Sequence, residues 1–346
     1  MRGCVVSRLA CFVLAGLVAT CSLPAISFAQ TPLKFSLDGR IEGQAAPFFI
    51  ALEKGYFKEE GLEVTIDPAG TPIEPITRVT TGGYDLALGD INTLMRQREQ
   101  NGAAAAPRAV FILYNRPTYA VIGRKSRGVT APGDLAGKKL GIPPAEHAST
   151  AWLIFAKATG IDVAKVTVLN VGLPIREPML AAGEVDAVTG SILATPITLR
   201  DKGVPADDIT VMQMADFGVE LYGTAILANP KTLAEKPEAV RGFLRAVVRG
   251  LKEVIRDPSA AIASIVARGG GAPEVELERL TIALRESIVT PEARKNGVGG
   301  ISAERFGVAL DQLAGAGVLK SKPKADDVFD AGFLPVADDR QLDGPG

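Results

Sequence analysis

From Leu33 to Leu227 the chain repeats one pattern: a short apolar run, then a stretch with helical spacing, then another run. This alternation constrains the fold more than any other feature. A strand–helix–strand order implies a mostly parallel sheet with helices on both faces. Leu33, Phe35 and Leu37 alternate with polar neighbours and read as a first strand. Pro47 starts a helix whose Phe48, Phe49 and Leu52 share a face, and Gly55 closes it. Leu62, Val64 and Ile66 make the second strand, and Leu86–Leu88 the third after a helix over 73–81. A helix over 91–100 precedes strands at 109–113 and 119–122. Residues 125–137, rich in Gly, Pro and charge, read as a lobe boundary. Beyond it the spacing predicts strands at 139–142, 166–169, 187–189, 209–214 and 224–227. Helices are expected at 148–159, 175–182 and 192–200 between them. With aromatics at only 5%, a layered α/β protein is expected rather than an all-β sandwich.

After Leu227 the pattern turns helical. Pro237 opens a helix in which Val240, Phe243, Leu244, Val247, Val248, Leu251, Val254 and Ile255 form one buried stripe. An internal echo joins the two halves. Gly82–Asp90 (GGYDLALGD) can be laid on Gly183–Ser191 (GEVDAVTGS), with Asp85 and Asp186 in register 101 residues apart. That offset is too long for a solenoid repeat and suggests two α/β lobes on similar plans.

The first 29 residues set the compartment. Arg2 and Arg8 precede an apolar run from Leu9 to Val18, Pro24 breaks it, and Ser27-Phe28-Ala29 fits a cleavage site after Ala29. A secretory leader and a periplasmic location are expected, with a lipid anchor at Cys21 as the alternative. Cys4, Cys11 and Cys21 all fall in this leader. The exported chain would then lack disulfides, thiolate metal sites and cysteine nucleophiles. Without Arg2 and Arg8 it carries 36 basic against 39 acidic residues, a balance of −3. Such a mixed charge carries no nucleic-acid footprint. No metal or other cofactor is expected: GxSxG, HExxH and GxGxxG are absent, and His147 is the single histidine.

In open parallel sheets, ligands sit beyond the carboxyl ends of the strands. That rule picks Asp38, Arg40 and Glu42 after the first strand, Gly89 and Asp90 after the third, and Tyr114, Asn115 and Arg116 after the fourth. In the second half it picks Glu146, His147, Ser149 and Thr150, then Gly190 and Ser191, with Tyr222 near the return crossing. Asp90, Ser149 and Ser191 fit helix capping as well as ligand contact. Arg40 and Arg116 fit a clamp for a carboxylate or sulfonate, or ion pairs with Asp38 or Glu42. Trp152 reads as core.

Over Ala51–Val64 (ALEKGYFKEEGLEV), Gly83–Asp90, Asp134–Gly141 and Gly183–Ala187 the chain resembles the periplasmic binding proteins of nitrate/sulfonate/taurine importers. It is similar also to their thiamine-precursor-binding relatives. The resemblance implies a type II periplasmic binding protein fold, with lobe 1 from residues 31–123 plus 224–346 and lobe 2 from 124–223. It further implies capture of a small organic solute (sulfonate, carboxylate or nitrogen compound) by hinge closure, and delivery by a monomer to an ABC permease and its ATPase. A sensor module and a thiamine-pyrimidine-precursor carrier are the alternatives. Asp38–Gly43 (DGRIEG) departs from the aromatic and Pro-Asn that the precursor binders carry at the first loop, which disfavours a pyrimidine; the mix of acids and arginines among the candidates favours a zwitterion or a small carboxylate or sulfonate with hydrogen-bonding groups over bare nitrate. Eukaryotic relatives of the fold make the thiamine pyrimidine with a histidine and a cysteine-rich iron site, a set that an exported chain without cysteine does not match.

Overall fold

The computed structural model describes residues 30–102, 106–144 and 146–342. The leader and its Ala29 and Cys21 alternatives lie outside the described residues. Lobe 1 begins with β1 (Thr31–Ser36), α1 (Ala46–Glu53), α2 (Tyr56–Glu59), β2 (Leu62–Asp67), α3 (Glu74–Thr80), β3 (Leu86–Asp90), α4 (Ile91–Asn101) and β4 (Arg108–Ile112). Lobe 2 holds β5 (Tyr119–Arg124), β6 (Lys139–Ile142), α5 (His147–Ala158), β7 (Thr167–Asn170), α6 (Arg176–Ala182), β8 (Ala187–Ser191), α7 (Thr195–Asp201) and β9 (Ile209–Gln213). The chain returns through β10 (Thr224–Ala228) to α8 (Pro230–Glu235), α9 (Pro237–Arg256), α10 (Pro258–Val266), α11 (Pro273–Ile282), α12 (Pro291–Asn296) and α13 (Ala303–Gly315).

The two five-stranded sheets share one plan. Their orders are β2-β1-β3-β10-β4 and β7-β6-β8-β5-β9. β1 runs parallel to β2 and β3, and β6 runs parallel to β7 and β8. β10 is antiparallel to both its neighbours, and so is β5. The reason is geometric. β5 and β10 are the strands that enter a lobe from the other one. Each starts at the cleft and runs away from it, whereas its neighbours run towards the cleft.

β5 lies between β8 and β9, so it belongs to lobe 2. The sequence boundary near Gly123 therefore moves ahead of Tyr119, and the crossing occupies residues 113–118. Residues 125–137 form a loop inside lobe 2, where their glycines and prolines suit a turn as well as a linker. The chain rejoins the first sheet at Thr224, where β10 begins. The crossings lie side by side: the Gly223 N–H donates to the Tyr114 carbonyl at 3.0 Å, and the Tyr114 N–H to Thr224 O at 2.9 Å.

The stripe on α9 is buried as its spacing requires, from Val240 to Val254. Phe243 packs on Phe35 and Phe57 with ring centroids 5.0 and 5.1 Å apart, and Phe35 meets Phe48 at 4.8 Å. Removing one such ring costs about 3–5 kcal/mol. Trp152 is core, packed with Phe155. Phe306, Leu310 and Leu313 of α13 join the same cluster, so the last helices brace lobe 2 as well as lobe 1. Among the described residues no helix is long and apolar enough to cross a membrane.

Candidate functional site

A cavity of ≈ 180 Å³ lies between the lobes. Six of the residues read from the sequence line it: Asp38 and Glu42 from lobe 1, and Glu146, His147, Gly190 and Ser191 from lobe 2. Asp38 follows β1, Glu146 is the N-cap residue of α5, and Ser191 ends β8. This is the carboxyl-end rule at work in each lobe.

Burial pushes the Asp38 carboxyl above its ordinary value, and His147 partly offsets this. Thr224 Oγ1 donates to Asp38 Oδ2 at 3.4 Å. Glu146 is raised by burial too, against the pull of Arg176. Arg176 donates to Glu146 through Nη1 and to Glu177 Oε1 through Nε at 2.9 Å. Arg279 stands behind Glu42, with 3.8 Å separating it from the carboxylates of both Glu42 and Glu276. Its Nη1 donates across the cleft to Leu193 O at 2.8 Å. Each arginine is shared between two carboxylates.

Asp90 stands behind the wall. It caps α4 by accepting the Thr93 N–H at 2.7 Å, and the hydroxyl of Tyr119 donates to its other oxygen. Asn92 donates from Nδ2 to the Tyr119 hydroxyl at 3.0 Å and to Tyr222 O at 2.7 Å. Burial, then the Asp90 charge, pushes the Tyr119 phenol far up, so it stays protonated as a donor. His147 Nδ1 lies 3.0 Å from Thr93 Oγ1 and 3.9 Å from Asp90 Oδ1, which joins α5 of lobe 2 to α4 of lobe 1.

The other sequence candidates lie outside the cavity. Arg40 is exposed, on a separate groove with Asp201 and Arg268. Arg116 pairs with Asp216, and Glu286 lies 4.0 Å away, so its guanidinium is spent between the lobes. Asn115 accepts from Thr290 Oγ1 at 2.7 Å and Arg305 Nη1 at 3.0 Å. Tyr222 donates to Glu292 Oε1 at 2.7 Å, and burial raises its phenol. Ser149 donates to Glu146 O at 2.5 Å, and both Ser149 and Thr150 face a groove beside Arg96. Gly89 is a packing position: a Cβ there would lie 2.7 Å from Leu227 and 2.9 Å from Ile76. The anion clamp expected from Arg40 and Arg116 is thus not assembled: Arg116 is taken by partners that only the fold brings near, and Arg40 lies exposed outside the cavity.

The wall also contains Tyr114, which follows the fourth strand, and Gln44, Thr118, Tyr119, Leu193 and Thr224, which the sequence reading did not select as contacts. Tyr119 and Thr224 begin β5 and β10. Because those strands run backwards, their first residues face the cleft. The signal was the lobe crossing itself, which inverts the carboxyl-end rule for the strand that follows it.

The family model described as NMT1/THI5 like matches residues 42–261. A formylaminopyrimidine-binding protein from Halalkalibacterium halodurans is 27% identical over 81% of this chain and 84% of its own length. The riboflavin-binding protein RibY of Chloroflexus aurantiacus is 26% identical over 84% of this chain and 83% of its own. A 4-amino-5-hydroxymethyl-2-methylpyrimidine phosphate synthase from Aspergillus parasiticus is 26% identical over 64% of this chain and 66% of its own. Among solved structures, the periplasmic aliphatic sulphonate binding protein SsuA from Escherichia coli superposes with a TM-score of 0.65 at 13% identity, covering 91% of this chain and 94% of that one. That likeness establishes the two-lobed periplasmic-binding-protein fold.

Proposed function

Because the chain belongs to the NMT1/THI5-like family, we propose that it is the extracytoplasmic solute-binding component of an ABC importer. It captures a small solute between its lobes and delivers it, closed, to a membrane permease and its ATPase. The observation that carries this reading is the inter-lobe cavity, whose wall comes from both lobes and both crossings. Closure on a ligand then changes the relative position of two rigid sheets about residues 113–118 and 218–223. The relatives named for formylaminopyrimidine and riboflavin binding support the same role.

The geometry of one cluster favours a binding role over a catalytic triad. Thr93, His147 and Asp90 look at first like a nucleophile, base and acid. Yet Thr93 Oγ1 and Asp90 Oδ1 both approach the same ring nitrogen, Nδ1. A triad needs them on opposite nitrogens, one to give a proton and one to orient the ring. The cluster therefore holds the lobes in register. The experiment is uptake by a deletion strain alongside turnover by the purified protein. Loss of uptake for one solute, with that solute recovered unchanged after incubation with the protein, is the expected result. Conversion of the solute by purified protein overturns the reading.

A further inference from the structure

We infer that the cleft takes a small organic cation, such as a protonated amine or amidine on a compact body, and not an anion. This rests on the solute-binding reading above and names the ligand class of that site. Three carboxylates, Asp38, Glu42 and Glu146, line the cavity from both lobes. Among the described residues, no lysine or arginine lines it, and His147 is its one basic side chain. The two arginines behind the wall do not neutralise it. Arg176 is divided between Glu146 and Glu177, and Arg279 between Glu42 and Glu276. Each cluster keeps one uncancelled negative charge, and Asp38 and Asp90 add theirs.

The amino end of α5 also faces the cavity and would attract an anion. Glu146, at its N-cap, places a carboxylate charge beside that end, although its oxygens bond to Arg176 and Thr189 and do not cap the helix. A second observation points to a ligand. Tyr114 lines the cavity, is only 5% exposed, and its hydroxyl has no hydrogen-bond partner among the described residues. Its nearest charges are Asp38 and Glu42. That hydroxyl opens on the cavity, where a ligand group can take it as a hydrogen-bond partner. Burial disfavours the charged forms of Asp38 and Glu146, and a bound cation would offset that cost by stabilising them. The volume of ≈ 180 Å³ lies below the roughly 300–1,000 Å³ of drug-sized sites, so the cation is compact.

The test uses the full exported chain and two matched series at millimolar concentration. One is benzylamine, benzyl alcohol and benzoate. The other is choline, 3,3-dimethylbutanol and 3,3-dimethylbutanoate. Thermal shift and NMR titration read the preference within each series, so weak binding suffices. Asp38→Asn and Glu146→Gln are measured beside the wild type, with circular dichroism to verify folding. The expected result is binding of the amines alone, weakened about tenfold or more by Asp38→Asn. Binding of the neutral or anionic members, unchanged or improved in Asp38→Asn, overturns the cation class and leaves the solute-binding reading intact. Silence of both series in every variant overturns the cation class and counts against the solute-binding reading as well.

Discussion

The two lobes carry the same device at the same place and use its far end differently. Asp85 and Asp186 stand just before the third strand of their sheets. Each accepts the backbone N–H of the first strand at 2.9 Å, from Lys34 in lobe 1 and from Lys139 in lobe 2. Each returns its own N–H to that residue's carbonyl, at 3.1 and 2.9 Å. The echo in the sequence is thus one hydrogen-bonded strand start made twice. At the other end of the strand the lobes diverge. In lobe 1, Asp90 is buried and held by Tyr119 of lobe 2. In lobe 2, Ser191 lines the cavity, and its hydroxyl oxygen accepts the Leu193 N–H at 3.2 Å. Glycine precedes both, and packing demands it both times: a Cβ at Gly190 would lie 2.4 Å from Thr195. One scaffold position joins the lobes on one side and lines the cavity on the other.

That contrast breaks most sharply at its ends. Asp90→Ala removes a helix cap and leaves the buried Tyr119 O–H proton without an acceptor, so it should cost about 2–4 kcal/mol of stability. Ser191→Ala should cost under about 1 kcal/mol while still weakening ligand binding. Chemical denaturation with calorimetry on the same pair decides this. Equal stability losses would mean that the two strand ends are equivalent.

The shared device gives a smaller, graded effect. Asp85 also accepts from Thr232 Oγ1 at 3.0 Å and Lys236 Nζ at 3.3 Å, whereas Asp186 has Arg127 at 3.3 Å. Asp85→Ala should therefore destabilise by about 2–3 kcal/mol and Asp186→Ala by about 1–2 kcal/mol. Urea midpoints compared at equal slope measure the gap, and a reversed order would refute it.

The smallest effect separates the lobes by pH. The Ser126 N–H, then Arg124, draws the Asp208 carboxyl down to about 2 from an ordinary 3.8. A depressed carboxylate stabilises the fold above its unfolded value and loses that contribution as pH falls through about 2. Asp208→Asn should lower stability at neutral pH and converge with the wild type near pH 2. Acid titration of both proteins by circular dichroism tests this, and a constant gap down to pH 2 would exclude it.

Much of the scaffold was legible from local chemistry. Alternation marks the strands, the Asp85 and Asp186 turns mark the repeated unit, and the spacing of Val240 through Val254 marks the stripe of α9. These depend on residues within a few turns of one another, so the chain spells them out. The first loop and the start of α5 were legible too, because the carboxyl-end rule holds for strands that run towards the cleft, and it placed Asp38, Glu42, Glu146, His147, Gly190 and Ser191 on the cavity wall.

What only the tertiary structure decided was strand direction and charge pairing. A strand's direction depends on the lobe from which it arrives, so Tyr119 and Thr224 face the cleft from the beginnings of their strands. A charge's fate depends on partners far along the chain. Arg116 meets Asp216 across 100 residues and Arg279 meets Glu42 across the lobe, while Arg40 finds the surface. Sequence spacing carries neither kind of information. The sequence by itself determined a two-lobed α/β scaffold and half of its cleft; the packing of one lobe against the other determined that the cleft is acidic.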